Sequence, residues 1–230
     1  SLGSNKAVAF DISAACSGFL YAMKLAQQLI GAGAYQNAVI IGAEKLSAFV
    51  NWDDRTTCVL FGDGAGAAVL RPAREGEGSI LATDIGTDGG QTHLLNIPGG
   101  GSACPITIEN ANERLATLSM LGREVFKHAV TRMKDSALKV IERAGLQPSD
   151  IKLVVPHQAN LRIIDAIASR LDLPEERVFV NLEKYGNTSA AAVAIALDEA
   201  HRTGRFVAGD RIVMVAFGAG LTWAAAAIEW

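Results

Sequence analysis

Short apolar runs of strand length alternate with amphipathic runs of helical length along most of this chain. Residues 6–12 are predicted to form a buried strand and residues 17–30 a helix, whose apolar side chains recur at helical spacing. Residues 38–41 are predicted to form the next strand. Two consecutive strands joined by a helix predict a parallel sheet, so the pattern favours an α/β fold.

A loop rich in Gly, Pro and Asn over residues 86–112 is the best candidate for a division within the chain. We therefore predict a first domain over residues 1–110 and a second over residues 111–230. In the second, the pattern predicts helices over 119–144, 161–171 and 189–201, and strands over 151–155, 178–180, 212–217 and 221–228.

Two glycine-rich segments suggest an internal duplication. The Gly-Asp-Gly-Ala-Gly segment at 62–66 follows Phe61, and Gly218-Ala-Gly follows Phe217. Each is predicted to be a tight turn between two paired strands, where large side chains do not fit. The repeated pattern indicates two pseudo-symmetric halves built on one βαβ design.

Composition excludes several classes of protein. Half of the 230 residues are hydrophobic and a fifth are charged, which is typical of a globular chain. The net charge of -3 argues against a nucleic-acid binder. Residues 212–228 form an uncharged stretch near the lower length limit of a membrane span, but Gly218, Gly220 and Thr222 divide it into two strands. We therefore expect no membrane segment.

The three cysteines indicate neither a disulfide framework nor a zinc site. Cys16, Cys58 and Cys104 have no Cys-x-x-Cys spacing and no paired pattern. This favours a reducing compartment, and hence the cytoplasm.

Cys16 lies where a predicted strand meets a predicted helix. Unpaired N–H groups and the positive end of the helix dipole favour the thiolate there, which is the nucleophilic form. A buried structural cysteine is the alternative. The small neighbours Ala14, Ala15, Ser17 and Gly18 favour a nucleophile, because they leave room for a substrate over the sulfur.

His157 and Asn187 are candidate hydrogen-bonding partners. His157 follows the strand-ending Pro156, has no acidic neighbour in sequence, and is expected to be neutral, with one ring nitrogen held by a backbone group. Asn187 is alternatively a helix N-cap. If the two converge, they would stabilise an enolate without a fixed charge. The Ala219 turn and the Cys16 amide would supply an oxyanion hole; a plain β-turn is the alternative.

Five motifs in this order closely resemble β-ketoacyl-acyl carrier protein synthase III, of the thiolase superfamily. They are Ala14-Ala-Cys-Ser-Gly-Phe19, Phe61-Gly-Asp-Gly-Ala-Gly-Ala-Ala-Val-Leu70, His157-Gln-Ala-Asn-Leu-Arg-Ile-Ile164, Tyr185-Gly-Asn-Thr-Ser-Ala-Ala191 and Phe217-Gly-Ala-Gly-Leu-Thr-Trp223. The resemblance implies a thiolase-like five-layered αβαβα sandwich of two pseudo-symmetric halves, with the first half incomplete in this chain. It also implies a homodimer and an accompanying N-terminal fragment.

The same resemblance implies an acyltransferase that initiates fatty acid biosynthesis without a cofactor or metal. Cys16 would accept the acyl group of a short acyl-CoA, with the Cys16 and Ala219 amides as oxyanion hole, and His157 and Asn187 would then stabilise the enolate of malonyl-acyl carrier protein. Further roles carried over are CoA or pantetheine binding by Arg55, Gly122, Phe126, Ala159 and Asn160, and carrier docking by Arg162, Arg170 and Lys127. Arg123 departs from the neutral residue expected at its position.

Three other interpretations remain. A related synthase of quinolone or polyketide assembly shares part of these motifs. The order Cys, His, Asn also occurs in papain-like proteases, but their Trp close after the cysteine is absent. A non-catalytic scaffold would not need all three polar residues.

Overall fold

The computed structural model describes residue 3 and residues 5–230. Its helices are α1 (Gly18–Gly31), α2 (Gly122–Arg143), α3 (Leu161–Arg170), α4 (Leu182–Tyr185) and α5 (Ala191–Arg202). Its strands are β1 (Ala38–Lys45), β2 (Asp63–Leu70), β3 (Ile80–Thr87), β4 (Leu95–Asn96), β5 (Ser119–Met120), β6 (Ile151–Pro156), β7 (Arg211–Gly218) and β8 (Thr222–Glu229).

A four-stranded sheet with the order β3-β8-β7-β6 lies at the centre of the second half. Strands β3, β8 and β7 pair antiparallel, whereas β6 and β7 pair parallel. Helices α2 and α3 cover one face, and α1 and α5 pack on the other. Helices on both faces explain why β7 and β8 consist almost entirely of apolar residues.

Strand β7 supplies side chains to both hydrophobic cores. Val213 and Val215 join the core shared with α2 and α3, while Ile212 and Met214 join the core shared with α1 and α5. Successive side chains of a strand point to opposite faces, which gives this alternation. The sheet is therefore fixed between two helical layers.

A second, two-stranded sheet packs on the other side of α1 and α5. Strands β1 and β2 pair antiparallel, from Ala38 opposite Leu70 to Lys45 opposite Asp63. A Cβ placed on Gly66 would lie 2.6 Å from the Ala194 Cβ, so glycine lets α5 approach this sheet closely. On the outer face, Ile41 is 56% exposed and Val69 is 72% exposed. In residues 3 and 5–230, the layers are thus sheet, helices, sheet, helices.

The predicted strand over residues 6–12 is wrong. No regular pairing is assigned to these residues, and Val8 and Phe10 are 63% and 60% exposed. An apolar run becomes a strand only when another strand donates and accepts its backbone hydrogen bonds. Within the described residues, β1 instead pairs antiparallel with β2, so the parallel pairing expected there is also wrong.

The predicted turn at residues 62–66 is wrong as well. Most of this segment lies inside β2, and the strand that pairs with β2 is β1. Gly64 and Gly66 are needed for close packing against α5, not for a turn.

Most elements of the second half are confirmed within a few residues, with two exceptions. The helix expected from residue 119 begins at Gly122, because residues 119 and 120 pair with β4 as strand β5. Residues 178–180 form only a single parallel bridge, between Val178 and Val154. Within residues 3 and 5–230, no helix combines the length and the apolar character required to cross a membrane.

The two halves share one order of elements. In the first, α1 is followed by the antiparallel pair β1–β2, and in the second, α5 is followed by the antiparallel pair β7–β8. The division after residue 110 stays a prediction. Strand β3 lies before residue 110 in the sequence, yet it pairs with β8, which lies after it.

Candidate active site

One cavity of about 890 Å³ brings together the three polar residues singled out from the sequence. Cys16, His157 and Asn187 all line it, although they lie far apart along the chain. Other predicted site residues also line it: Ala219, Gly122, Phe126, Ala159, Asn160 and Arg162. Arg55, Lys127 and Arg170 are not part of the lining.

Cys16 lies in a short 3₁₀ turn, Ala15–Ser17, that leads into α1. Ala15 has a φ of 45°, a left-handed conformation that is strained for a residue with a Cβ. The C-terminal hairpin holds this turn. The Thr222 hydroxyl donates to the Ala14 carbonyl at 2.8 Å, and a Cβ on Gly218 would lie 2.6 Å from the Cys16 nitrogen. Only glycine at residue 218 allows this close approach.

Burial raises the pKa of the Cys16 thiol to about 11. A hydrogen bond from Ser189 lowers this pKa, and the negative charge of Glu44 raises it further. The expectation that the start of a helix would favour the thiolate is therefore wrong for the resting site. Removal of the sulfur from water outweighs the stabilisation by backbone N–H groups.

His157 follows β6 and is 1% exposed. Its backbone N–H donates to the Val215 carbonyl at 2.7 Å, which fixes the residue at the end of the sheet. Burial lowers the pKa of the imidazole to about 4, so the ring is neutral at physiological pH, as the sequence predicted.

Neither ring nitrogen of His157 has a hydrogen-bond partner in the described part of the chain. The expectation that a backbone group would hold one nitrogen is wrong. A buried polar group without a partner costs about 1–3 kcal/mol. A ligand that offers hydrogen bonds in this cavity would recover that cost.

Asn187 is positioned by a segment from the first half of the chain. Its N–H donates to the Leu60 carbonyl at 2.8 Å, and its carbonyl accepts from the Gly62 N–H at 3.0 Å. A Cβ on Gly62 would overlap the carbonyl oxygen of Tyr185. The Phe61-Gly62 motif therefore holds Asn187 in place.

The side chain of Asn187 has one end occupied and one end available. Its Oδ1 accepts from the Ser189 N–H at 2.9 Å, whereas its Nδ2 makes no hydrogen bond to residues 3 and 5–230. Asn187 is not the N-cap of α5, since that helix begins at Ala191. The carboxamide is thus oriented to donate into the cavity.

Three further residues support the site, and the sequence did not single them out. Buried Gln158 donates to the carbonyls of Pro156 and Phe179 and accepts from Asn181, which fixes the loop after β6. Ser189 and Glu44 line the cavity and act on Cys16. Gln158 and Ser189 lie inside motifs that the sequence showed, but which side chain contacts which was not visible there.

The arrangement offers a nucleophile beside two neutral hydrogen-bonding groups. Glu44, Arg123 and Arg162 are the charged side chains among the lining residues of the described chain. No group of three or more His, Cys, Asp or Glu with metal-binding geometry occurs in residues 3 and 5–230. These features suit attack on a carbonyl carbon followed by stabilisation of an oxyanion or enolate.

Comparisons with known proteins agree with this geometry. Residues 10–89 match the family model of 3-oxoacyl-[acyl-carrier-protein] synthase III, and residues 141–230 match the model of its C-terminal part. The β-ketoacyl-[acyl-carrier-protein] synthase III of Desulfitobacterium hafniense is 52% identical over 229 residues, which cover 100% of this chain and 69% of that protein.

Solved structures show the same fold. The 3-oxoacyl-[acyl-carrier-protein] synthase III of Aquifex aeolicus superimposes with a TM-score of 0.89 at 47% identity, over 98% of this chain and 68% of that one. The priming β-ketosynthase of the R1128 polyketide pathway gives a TM-score of 0.86 at 37% identity, over 99% and 67% of the two chains. The predicted fold class is confirmed. Both domain models match in order and the relatives align over this entire chain, so it belongs to the 3-oxoacyl-[acyl-carrier-protein] synthase III family.

Proposed function

We propose that this chain carries the chemistry of an acyltransferase that condenses a short acyl-CoA with malonyl-acyl carrier protein and so initiates fatty acid biosynthesis. One observation carries the proposal. A neutral, buried His157 with two unpartnered ring nitrogens shares a cavity with Cys16 and with an Asn187 amide that is free to donate. Family membership supports the reaction class, and this geometry supports the roles that we propose for the three residues.

In the first step, Cys16 accepts the acyl group. Its sulfur attacks the thioester carbonyl, the C–S bond to CoA breaks, and CoA leaves as a thiol with the proton that Cys16 gives up. The N–H groups of Cys16 and Ala219 bind the oxyanion. The close approach of Gly218 to the Cys16 nitrogen supports this role, because Gly218 directly precedes Ala219.

In the second step, malonyl-acyl carrier protein loses CO₂ and forms an enolate. Neutral His157 and the Asn187 Nδ2 donate hydrogen bonds to the enolate oxygen. The carbanion carbon then attacks the acyl-Cys16 carbonyl, the C–S bond breaks, and the Cys16 thiolate takes up a proton. Loss of CO₂ drives this step, so we propose that no cofactor or metal is needed.

The substrate arms would reach Cys16 along the cavity. Gly122, Phe126, Ala159 and Asn160 line it and are proposed to contact the pantetheine arm. Arg55 is proposed to stack on the CoA adenine outside the lining. Arg162, Arg170 and Lys127 are proposed to dock the acidic carrier protein. Lys127 already pairs with Glu124 at 3.0 Å, which makes it the weakest of the three.

We further propose a homodimer in the cytoplasm, with an N-terminal fragment of the same protein completing the first half. The exposed apolar face of β1–β2 supports the last of these, since such faces are usually covered by further protein. Free Cys16, Cys58 and Cys104 support the location.

Mass spectrometry tests the function directly. The complete enzyme is incubated with acetyl-CoA, and Cys16 is expected to gain one acetyl group, which malonyl-acyl carrier protein then removes as acetoacetyl-acyl carrier protein. Cys16→Ala should gain no acetyl group, whereas Cys58→Ala should react as the wild type does. Acetylation elsewhere, or no condensed product, would contradict the proposal.

A polyketide priming synthase is the second candidate, favoured by the similarity to the R1128 enzyme. The two differ in the acyl donor and the downstream carrier. Competition among acetyl-CoA and longer acyl-CoA donors, with products identified by mass, separates them.

A further inference from the structure

We infer that Arg123 binds the phosphate of the incoming 4′-phosphopantetheine arm, together with Arg162, at the mouth of the active-site cavity. This inference rests on the proposed function, because that phosphate is common to CoA and to acyl carrier proteins. It assigns to Arg123 a role that its position in the sequence did not indicate.

Arg123 and Arg162 are the cations among the residues that line the cavity. Both are exposed, whereas Cys16 and His157 in the same cavity are buried. The arginines therefore mark the end of the cavity that is open to solvent. Cys16 and His157 mark its closed end.

In the described part of the chain, neither guanidinium group donates a hydrogen bond or forms an ion pair. The charge of Arg123 contributes, after Lys127, to the lowered pKa of the neighbouring Glu124. Glu124, the immediate neighbour of Arg123, is bound to Lys127 at 3.0 Å. The Arg162 backbone N–H, but not its side chain, is bound to Asn160. Two unpaired guanidinium groups at one opening favour an anionic ligand.

The position of each arginine strengthens this argument. Arg123 is the second residue of α2, and Arg162 is the second residue of α3. Positive side chains are disfavoured there, because a helix N-terminus already carries partial positive charge. Two arginines at this unfavourable position produce a strongly positive opening. A phosphate placed between them would be bound by both side chains and both helix dipoles.

A second, independent observation indicates that a ligand enters this cavity. Both ring nitrogens of the buried His157 are unpartnered in the described part of the chain, and His157 lines this cavity. The ligand must therefore bring a hydrogen-bonding group to the closed end and an anion to the open end.

The shape of the cavity fits an extended arm. Its lining along α2 consists of Gly122, Arg123, Val125, Phe126, Ala129 and Met133. These residues follow one face of the helix, and at 1.5 Å per residue Arg123 and Met133 lie roughly 15 Å apart. Beyond Arg123, the α2 face in this lining is uncharged. A linear, mostly apolar arm with a phosphate at its outer end has this pattern.

Binding of two probes that differ only in the phosphate tests the inference. We expect the enzyme to bind 4′-phosphopantetheine about tenfold more tightly than pantetheine in calorimetric titrations. Arg123→Gln should reduce this ratio to about twofold without changing the affinity for pantetheine. Arg123→Lys should restore part of the ratio, since the charge remains.

Lys134→Gln is the matched control. It removes one positive charge from the same helix at a residue outside the cavity lining, so it should keep the wild-type ratio. An unchanged ratio in Arg123→Gln, an equal loss in Lys134→Gln, or no preference for the phosphate in the wild type would overturn the inference.

Kinetics then identify the source of the phosphate. A rise in KM for acetyl-CoA in Arg123→Gln indicates that the phosphate of CoA is bound, and a rise in KM for malonyl-acyl carrier protein indicates that the phosphate of the carrier arm is bound. Either rise supports the inference. If neither KM rises, the inference is overturned. If the wild-type enzyme binds 4′-phosphopantetheine more tightly than pantetheine but forms no condensed product, the proposed function alone is contradicted. If it forms the condensed product but shows no preference for the phosphate, this inference alone is contradicted.

Discussion

The two units α1–β1–β2 and α5–β7–β8 follow the same order of elements but differ in how they are covered. In β7 and β8, both faces lie against helices, and the central residues are buried. In β1 and β2, one face lies against α1 and α5, and the other is exposed. All four strands are predominantly apolar, so composition alone does not reveal which faces are covered. Whether a strand face is buried depends on which helices pack against it.

Matched substitutions in the two sheets test this difference most strongly. Ala225→Asp in β8 should destabilise the protein by more than about 4 kcal/mol, because it buries an unpaired carboxylate between two helical layers. Ala67→Asp on the exposed face of β2 should cost less than about 1 kcal/mol. The measurement is the free energy of unfolding in urea.

Equal costs for the two aspartates would show that the outer face of β1–β2 is covered in solution. Purifying the protein at several concentrations, and repeating the unfolding of Ala67→Asp, would then show whether a second copy provides the cover. A cost that falls on dilution would indicate association.

The segment before β2 contacts the segment before α5 at Asn187, and a second substitution tests that contact. In Gly62→Ala, the new Cβ would collide with the Tyr185 carbonyl and move the Asn187 segment. We expect condensation with malonyl-acyl carrier protein to fall about 100-fold, because displacement of a positioned group by about 1 Å has this effect. Alkylation of Cys16 by iodoacetamide should change little.

Gly89→Ala serves as the control for this experiment, since a Cβ at Gly89 meets no atom within 4 Å. It should condense at the wild-type rate. If Gly62→Ala slowed alkylation as much as condensation, the motif would support the entire cavity rather than Asn187.

The smallest expected effect concerns the environment of Cys16. Ser189→Ala removes a hydrogen bond that lowers the pKa of the thiol, so the thiolate fraction should fall and alkylation at pH 8 should slow roughly threefold. Glu44→Gln removes a negative charge that raises this pKa, and alkylation should accelerate by a similar factor. In the wild type, the alkylation rate should keep rising with pH until about pH 11.

The test requires that the alkylation rate fall in Ser189→Ala and rise in Glu44→Gln. If both slowed alkylation equally, a change in access to the sulfur, rather than in its charge, would explain the result. Thermal unfolding of each variant supplies the control for folding.

Sequence patterns predicted elements well where a stable partner lies nearby in the fold. Helices α2, α3 and α5 were predicted within about three residues, because their apolar residues recur at helical spacing and their burial reinforces it. The strand over residues 6–12 failed, although its apolar pattern is equally clear. No strand of residues 3 and 5–230 pairs with it, and an apolar pattern does not show whether a partner strand is present.

The site was predictable as a set of residues but not as an electrostatic environment. The motifs identified Cys16, His157 and Asn187, and the structure brings all three to one cavity. The raised pKa of Cys16 was not predictable, since it depends on burial by the last hairpin and on Glu44 from β1. The role of Gly62 was equally hidden, because it depends on a contact with a segment more than a hundred residues away.

The hold of the C-terminal hairpin on the Cys16 turn has a consequence for biosynthesis. Thr222 and Gly218 contact Ala14 and Cys16, which the ribosome produces some two hundred residues earlier. During translation, the thiol therefore remains untethered until the last strands emerge and dock. Until then the sulfur is exposed to water and has the thiolate fraction of an ordinary cysteine, whereas docking of the hairpin buries it and raises its pKa.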